Sequence, residues 1–413
     1  MGRNYIDEHI DEIRREFKLL DHWVYLNAGD QMIPGDYWLK AARDFYGFVE
    51  YGRMEDIPNA DVATHPFLIS MWDECIERAA KLINADKDEV TNTYRPAITA
   101  NLIFYNMFDW FEGDNIVFSD LSYPSFVYIL QDLQRRYGVE LRIIKNVDGV
   151  VRMEDMEKAV DERTRMVVID RTAAFSGFTY DVKEVSRIAH AKGALVLDDA
   201  MQAVGAINVD VKEDDVDMLV TGAYKWQCGP EGAGFFYIKR ELMESIDPRF
   251  RNYIWADFPG GIPFADADHD NITSWQAPPV NNANKFSQDV TIGPALFGWN
   301  ATLKFYEKIG IHNVEERVRR LGTYAVERLQ EIGCEVTTPS DPAMRHGLIT
   351  YTSGDYDKDQ AFFQRCAAPG RCKKPIKISA RRLGNIGNLR VCTHFFNTEE
   401  DIDYLVDFQK SML

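Results

Sequence analysis

The chain has 413 residues, 46% of them hydrophobic and 12% aromatic, which allows a large core and roughly two to three domains. Lysine and arginine number 47 against 65 aspartate and glutamate, and the net charge of −18 disfavours nucleic acid and anionic membranes as partners. No apolar run approaches the ~20 residues of a spanning helix, and the charged start MGRNYIDEHIDEIRREF lacks the apolar core of a secretory signal.

In chain order, residues 1–49 read as an N-terminal segment that packs with a small domain, and 50–290 as a large domain. TNTYRPAIT (91–99) reads as a strand followed by a turn and a helix, with Pro96 suited to the first turn. Short apolar runs follow at 115–120, 139–145, 166–170, 194–199, 217–222 and 234–238, each predicting a buried strand. Between two of them, DVKEVSRIAHAKG (181–193) carries Val182, Val185, Ile188 and Ala189 at helical spacing, with Asp181 as N-cap and Gly193 at the far end. Strands alternating with helices predict an α/β fold, a mostly parallel sheet with helices on both faces. Residues 291–413 read as a smaller α+β domain: helices from Pro294 to Gly333, strands at 346–352, 375–379 and 388–395, and a closing helix capped by Asn397 or Thr398.

The six cysteines, Cys75, Cys228, Cys334, Cys366, Cys372 and Cys392, are scattered, as expected of reduced thiols in a cytoplasmic protein. The eight histidines form no HExxH-like group, so no protein-bound metal is expected.

Ligands of an open parallel sheet bind beyond the carboxyl ends of its strands. Two predicted strand ends carry a complementary pair. ALVLDDAMQAVG ends a strand in Asp198-Asp199, and DMLVTGAYKWQCGP places Lys225 just past the next. A lysine able to bond an aldehyde covalently, opposite a carboxylate able to hold a ring nitrogen protonated, is what pyridoxal 5′-phosphate (PLP) requires. Either aspartate alone is equally readable as a helix N-cap or a solvated turn. The 95–99 turn could seat a phosphate or be an ordinary strand-to-helix connection.

The segments YLNAG (25–29), PAIT (96–99), GDNIVFSDLSYPSF (113–126), LVLDDAMQAVG (195–205), AYKWQCGPEGAGFFYI (223–238) and LRVCTHFFNTEEDID (389–403) resemble the class V aminotransferase group of fold type I PLP enzymes. That group includes cysteine desulfurases, kynureninase and isopenicillin N epimerase-like proteins. The resemblance implies a seven-stranded-type sheet, a homodimer and a set of site residues. Lys225 falls on the Schiff-base lysine, Asp199 on the partner of the pyridine nitrogen, Gln202 on the ring-hydroxyl partner and Tyr123 on the ring-stacking position. Ala97, Ile98 and Thr99 fall on the phosphate loop, joined by Gly222 and Tyr224 in place of Ser and His. Thr291 falls where the family reaches the partner subunit's phosphate. Arg390 falls on the arginine that clamps the substrate α-carboxylate, a role suited to a planar guanidinium. Asn27 and Gly29 would line the same pocket. Arg171 and Ala174 replace the family's His and Asn, so Arg171 either adds a second anion contact, hinting at an acidic substrate, or forms a structural ion pair.

The reaction is open among PLP chemistries on an amino acid substrate. Transamination is the first expectation. A lyase, of C–S lyase or cysteine-desulfurase type, and an epimerase are alternatives. A persulfide-forming desulfurase is disfavoured because no cysteine lies between Pro375 and Leu389, although Cys372 is just upstream. Cys228 reads as a packing residue. A nicotinamide dehydrogenase fails, since GPEGAGFF leads into a strand rather than a helix. A catalytically silent binding protein would be expected to lose Lys225, Asp199 or Arg390, and all three are present.

Overall fold

The computed structural model describes residues 4–50, 66–250, 252, 255–257, 277–287, 293–368 and 374–412. The apolar runs expected as strands are strands. In chain order the strands are β1 (Val24–Tyr25), β2 (Val90–Asn92), β3 (Asn115–Ser119), β4 (Glu140–Ile144), β5 (Thr164–Asp170), β6 (Leu195–Asp199), β7 (Met218–Gly222), β8 (Gly234–Ile238), β9 (Glu335–Val336), β10 (Leu348–Thr352), β11 (Ile376–Lys377), β12 (Ser379–Leu383) and β13 (Ile386–Cys392).

Seven of them form one sheet in the order β2-β8-β7-β6-β5-β3-β4. Neighbours are parallel except around β8, which runs antiparallel to both β2 and β7. Successive side chains alternate between faces. Val167, Ile169, Val196 and Leu219 therefore pack on one side with Val185 and Ile188 of the helix Val182–His190. Met166, Val168, Leu197, Met218 and Val220 pack on the other with Phe126, Leu130 and Leu133 of the helix Pro124–Tyr137. Each such side chain, fully buried, contributes roughly 1.5–3 kcal/mol. Both faces are covered, which is why these strands are apolar along their length rather than alternating.

The helix at 182–190 starts as expected, with the Asp181 side chain accepting the Glu184 N–H. It ends at His190, so Gly193 lies beyond Ala191 in a left-handed turn with φ of 77°.

A second, antiparallel sheet has the order β12-β13-β10-β9. Ile349, Tyr351, Leu389 and Val391 face the helices Ile311–Glu331 and Glu399–Lys410. The last helix opens with a capping box between Thr398 and Asp401. By alternation, Thr350, Arg390 and Cys392 point the other way, and they are buried as well. That face lies against the end of the first sheet: Thr350 Oγ1 donates to the Ser176 carbonyl at 3.5 Å. The expected strand at 375–379 divides. Its first half, β11, pairs in parallel with β1, while Ser379 opens β12. The Leu26 carbonyl accepts the Cys392 N–H at 2.8 Å. This threads residues 24–30 along the end of β13 and brings the N-terminal segment to the junction of the two sheets. Among the described residues no helix is long and apolar enough to cross a membrane.

Candidate active site

Side-chain parity decides what the strand ends present. On β5 and β6, Asp170 and Asp199 continue the Met166–Val168 and Leu197 face and lie opposite each other in register. Asp198 and Arg171 point to the other face. Asp170 and Asp199 open into a cavity of about 630 Å³ at the C-terminal ends of these strands, with Lys225 in the same wall. That volume is within the range of small-molecule sites.

Lys225 is buried, and its Nζ lies 5.5 Å from the centroid of the exposed Tyr123 ring. Among the described residues its amine has no hydrogen bond or ion pair. Burial lowers its pKa to about 8, and the charge of Arg390 adds to this against the pull of Asp199 and Asp30. A neutral amine is therefore accessible near physiological pH, as attack on an aldehyde requires. Burial raises Asp199 to about 7, opposed by the Met201 N–H, which donates to its Oδ1 at 3.0 Å, and by Lys225. Its other oxygen takes no hydrogen bond among the described residues. Asp170 is pushed well above the carboxylate range by burial and then by Asp199. Both Asp170 oxygens accept the Tyr123 N–H, at 3.1 and 3.2 Å, which fixes the backbone that carries the ring.

Gln202 spans the cavity floor. Its Nε2 donates to the Gly29 carbonyl at 3.0 Å and its Oε1 accepts from Trp226 Nε1 at 2.7 Å. Gly29 also lines the cavity. A Cβ there would meet Cys392 Sγ at 2.8 Å, so the close approach requires glycine. Arg390 enters from β13, held by Ser379 Oγ at 3.1 Å and the Ala174 carbonyl at 2.8 Å. Its Nη2 also donates to Asp30, and Arg381 reaches the same Asp30 oxygen at 2.8 Å.

Several expected residues sit elsewhere. Arg171 is not at the cavity: it is buried on the opposite face, bonded to Asp198 at 2.6 and 2.7 Å and to Asp214 at 2.6 Å. The structural ion pair is the geometry observed, and no hint of an acidic substrate follows from it. Thr99 turns its hydroxyl to Thr93 and, at 3.4 Å, to the carbonyl of Arg95 one turn back. Ile98 is exposed outside the wall, while Ala97 and Tyr224 line it. The Gly222 N–H is taken by Met201 Sδ at 3.2 Å, and Gly222 does not reach the cavity. Asn27 is buried behind Gly29, with its Oδ1 unpartnered. Cys228 is buried and off the wall, 3.9 Å from the Tyr306 hydroxyl and 3.7 Å from His394 Nε2, consistent with packing. Thr291, Cys372 and most of the 251–279 loop lie outside the described residues. Among the charged residues of the cavity wall, Asp30, Asp170 and Arg381 are absent from the sequence reading of the site, while Arg95 opens the 95–99 turn considered there as a phosphate seat.

The residues present fit PLP. A lone buried carboxylate oxygen facing a cavity is costly without a cation, and a protonated ring nitrogen would supply one. A lysine whose pKa burial has lowered stands in the same wall for the aldehyde, Tyr123 offers a ring face, and Gln202 retains a second Nε2 hydrogen. Arg95 lies 5.0 Å from the Tyr224 ring centroid, and the two line the cavity with Ala97 at the start of the helix Pro96–Leu102. They offer charge and donors for a phosphate.

A family model described as aminotransferase class-V matches residues 68–405. A probable cysteine desulfurase of Halalkalibacterium halodurans is 28% identical over 339 residues, covering 80% of this chain and 79% of its own. An uncharacterized aminotransferase, YcbU, of Bacillus subtilis is 25% identical over 409 residues, covering 97% of each chain. Among solved structures, the cystine C–S lyase C-DES in complex with its reaction product cysteine persulfide superposes with a TM-score of 0.82 at 18% identity, covering 95% of this chain and 99% of its own. This last likeness concerns the fold.

Proposed function

The chain belongs to the class-V aminotransferase family and is a PLP-dependent enzyme, and we propose that it is a lyase that breaks the C–S bond of a sulfur-bearing α-amino acid. The observation that carries this reading is the cavity itself: a buried Lys225 with a lowered pKa and a cation-seeking Asp199 share one wall with Arg390, and no described cysteine lines it. The name of the Halalkalibacterium halodurans relative points to sulfur chemistry. The five described cysteines are all buried. Burial raises the thiol pKa of Cys75, Cys228 and Cys392, whereas a persulfide relay needs an exposed, ionised thiolate. None of the five described cysteines is placed to carry the sulfur, which in this reading leaves in a small product.

PLP, when bound, draws electron density from the substrate α-carbon and makes its hydrogen acidic. The protein does the rest. Lys225 Nζ would hold the cofactor, and as a free amine it would accept the substrate α-proton. The Asp199 carboxylate balances positive charge beside the ring. Tyr123 covers one ring face, its backbone fixed by Asp170. Arg390 orients the substrate carboxylate through a guanidinium already immobilised by Ser379 and Ala174. For L-cysteine the overall balance is substrate plus water giving pyruvate, ammonia and hydrogen sulfide.

Transamination, the first expectation from sequence, remains a second reading because the Bacillus subtilis relative is named an aminotransferase. Incubating the holoenzyme with L-cysteine and L-cystine separates the outcomes. Equimolar pyruvate and ammonia support the lyase. Alanine formed together with protein-bound persulfide would establish a desulfurase. Turnover that requires an added keto acid would establish an aminotransferase. The homodimer implied by the resemblance belongs to the same proposal, and sedimentation tests it.

A further inference from the structure

The Arg390 guanidinium is not waiting empty for a substrate. It is almost fully buried, and a carboxylate of the protein's own, Asp30, already occupies one of its N–H groups. Asp30 reaches this position because residues 24–30 run along the end of β13 and turn there, with the Asp30 N–H bonded to the Asn27 carbonyl at 3.1 Å. Asp30, Arg381 and Arg390 all line the cavity. Arg381 comes from the adjacent strand and donates to the same oxygen.

The two arginines differ in freedom. The Arg390 side chain is 2% exposed and pinned by Ser379 and Ala174, whereas that of Arg381 is 46% exposed and Asp30 is its only described ionic partner. A buried guanidinium stripped of its carboxylate is costly, but exchanging one carboxylate for another is not. Two cations and one anion leave a single positive charge, which matches one incoming carboxylate and disfavours a second.

We propose that Asp30 is a built-in competitor for the substrate carboxylate, which takes the place of Asp30 on Arg390 while Asp30 remains on Arg381. The proposal rests on the reading of Arg390 as the carboxylate partner. Asp30 acts through Arg390 and touches no reacting atom. It sets how tightly a carboxylate is held, and it favours substrates with one carboxylate over those with two.

The test is a mutant cycle on the holoenzyme, with propionate binding read by calorimetry and the cofactor absorption band as a control for an intact site. In Asp30→Asn, propionate should bind about tenfold more tightly, the effect expected of removing one charge-assisted contact from the competitor. KM for L-cysteine should fall in parallel with little change in kcat. In Arg381→Met, Asp30 loses its resting place and propionate binding should weaken. In the double variant the Arg381→Met effect should vanish. Weaker propionate binding in Asp30→Asn would overturn the proposal, because Asp30 would then be positioning Arg390 rather than competing for it. Equal weakening by Arg381→Met in both backgrounds would also overturn it, because Arg381 would then bind the ligand directly. Arg390→Met separates the two levels of argument. If it leaves propionate affinity unchanged, the reading of Arg390 fails. If it abolishes binding while Asp30→Asn tightens nothing, only the competitor fails.

Discussion

Asp198 and Asp199 are adjacent in the chain, lie on one strand and are both buried, yet the protein supplies a cation to only one of them. Asp198 meets Arg171, which also reaches Asp214, so every charge in that group is answered by another. Burial pushes Asp198 up to about 6 even with Arg171 against it, leaving it ionised at neutral pH. Asp199 has a single backbone donor and sits higher, at about 7. Lys225 is likewise buried without an ionic contact among the described residues. One network is closed and holds the fold. The other is open, with charges that no hydrogen-bonded ion pair among the described residues answers, and unsatisfied groups of that kind mark functional sites.

The largest expected effect is on the open side. Lys225→Ala should lower turnover by about 10³-fold or more, since it removes both the covalent attachment and the proton carrier. Borohydride reduction followed by peptide mass mapping should place the cofactor on Lys225 in the wild type and on no peptide in the variant. Next comes the closed side. Arg171→Met leaves Asp198 buried and unpaired and should cost about 3–5 kcal/mol in urea unfolding, with the cofactor spectrum and carboxylate affinity of the folded fraction unchanged. A spectral change in that variant would erase the distinction between the two networks.

Asp199→Asn should be milder, roughly 10²-fold in kcat, the usual weight of one preorganised charge. It also carries a pH signature in the cofactor-free protein. The folded pKa of Asp199, about 7, lies above the unfolded value, so the folded state binds this proton more tightly and stability falls as pH rises from about 4 to 7. Lys225, lowered to about 8, acts in a different window: the unfolded state holds its proton more tightly, so stability rises from about pH 8 to 10. Urea midpoints across pH should show both limbs in the wild type and a shallower acidic limb in Asp199→Asn, the remainder coming from Asp198 and Asp170, which burial also raises.

Much of the fold and part of the site were legible in the sequence. Five of the six apolar runs at 115–238 are buried in the sheet, so their strands could be read from composition alone, whereas the run at 139–145, expected as buried, forms the edge strand β4 and leaves Glu140 and Ile143 exposed. Lys225 and Asp199 follow from strand ends one step apart in the sheet. The direction of Arg171 was legible too, because Met166, Val168 and Asp170 share a face and the next residue must leave it. Thr99 falls on the phosphate loop only by the resemblance, and a threonine one turn into a helix can bond the carbonyl four residues back instead. Asp30 was not legible at all: its contact with Arg390 joins positions 360 residues apart through the parallel pairing of β1 with β11, two strands of two residues each. Such pairing leaves no periodicity to read.

The smallest effect sharpens the comparison most. Asp214 forms the outer end of the closed network, and its side chain is 19% exposed where that of Asp198 is fully buried. Asp214→Asn keeps an acceptor oxygen near Arg171 Nη1 and leaves both contacts of Arg171 with Asp198 Oδ2 in place. The loss should be about 1 kcal/mol, that of one weakened hydrogen bond, and should appear as a lower urea midpoint with an unchanged slope. If the closed network is held by its buried core, turnover and cofactor spectrum stay at wild-type values. A loss as large as that of Arg171→Met would mean that Asp198 cannot hold the guanidinium alone. In that case the network owes its closure to the partly exposed carboxylate at its edge rather than to the buried pair beneath the sheet.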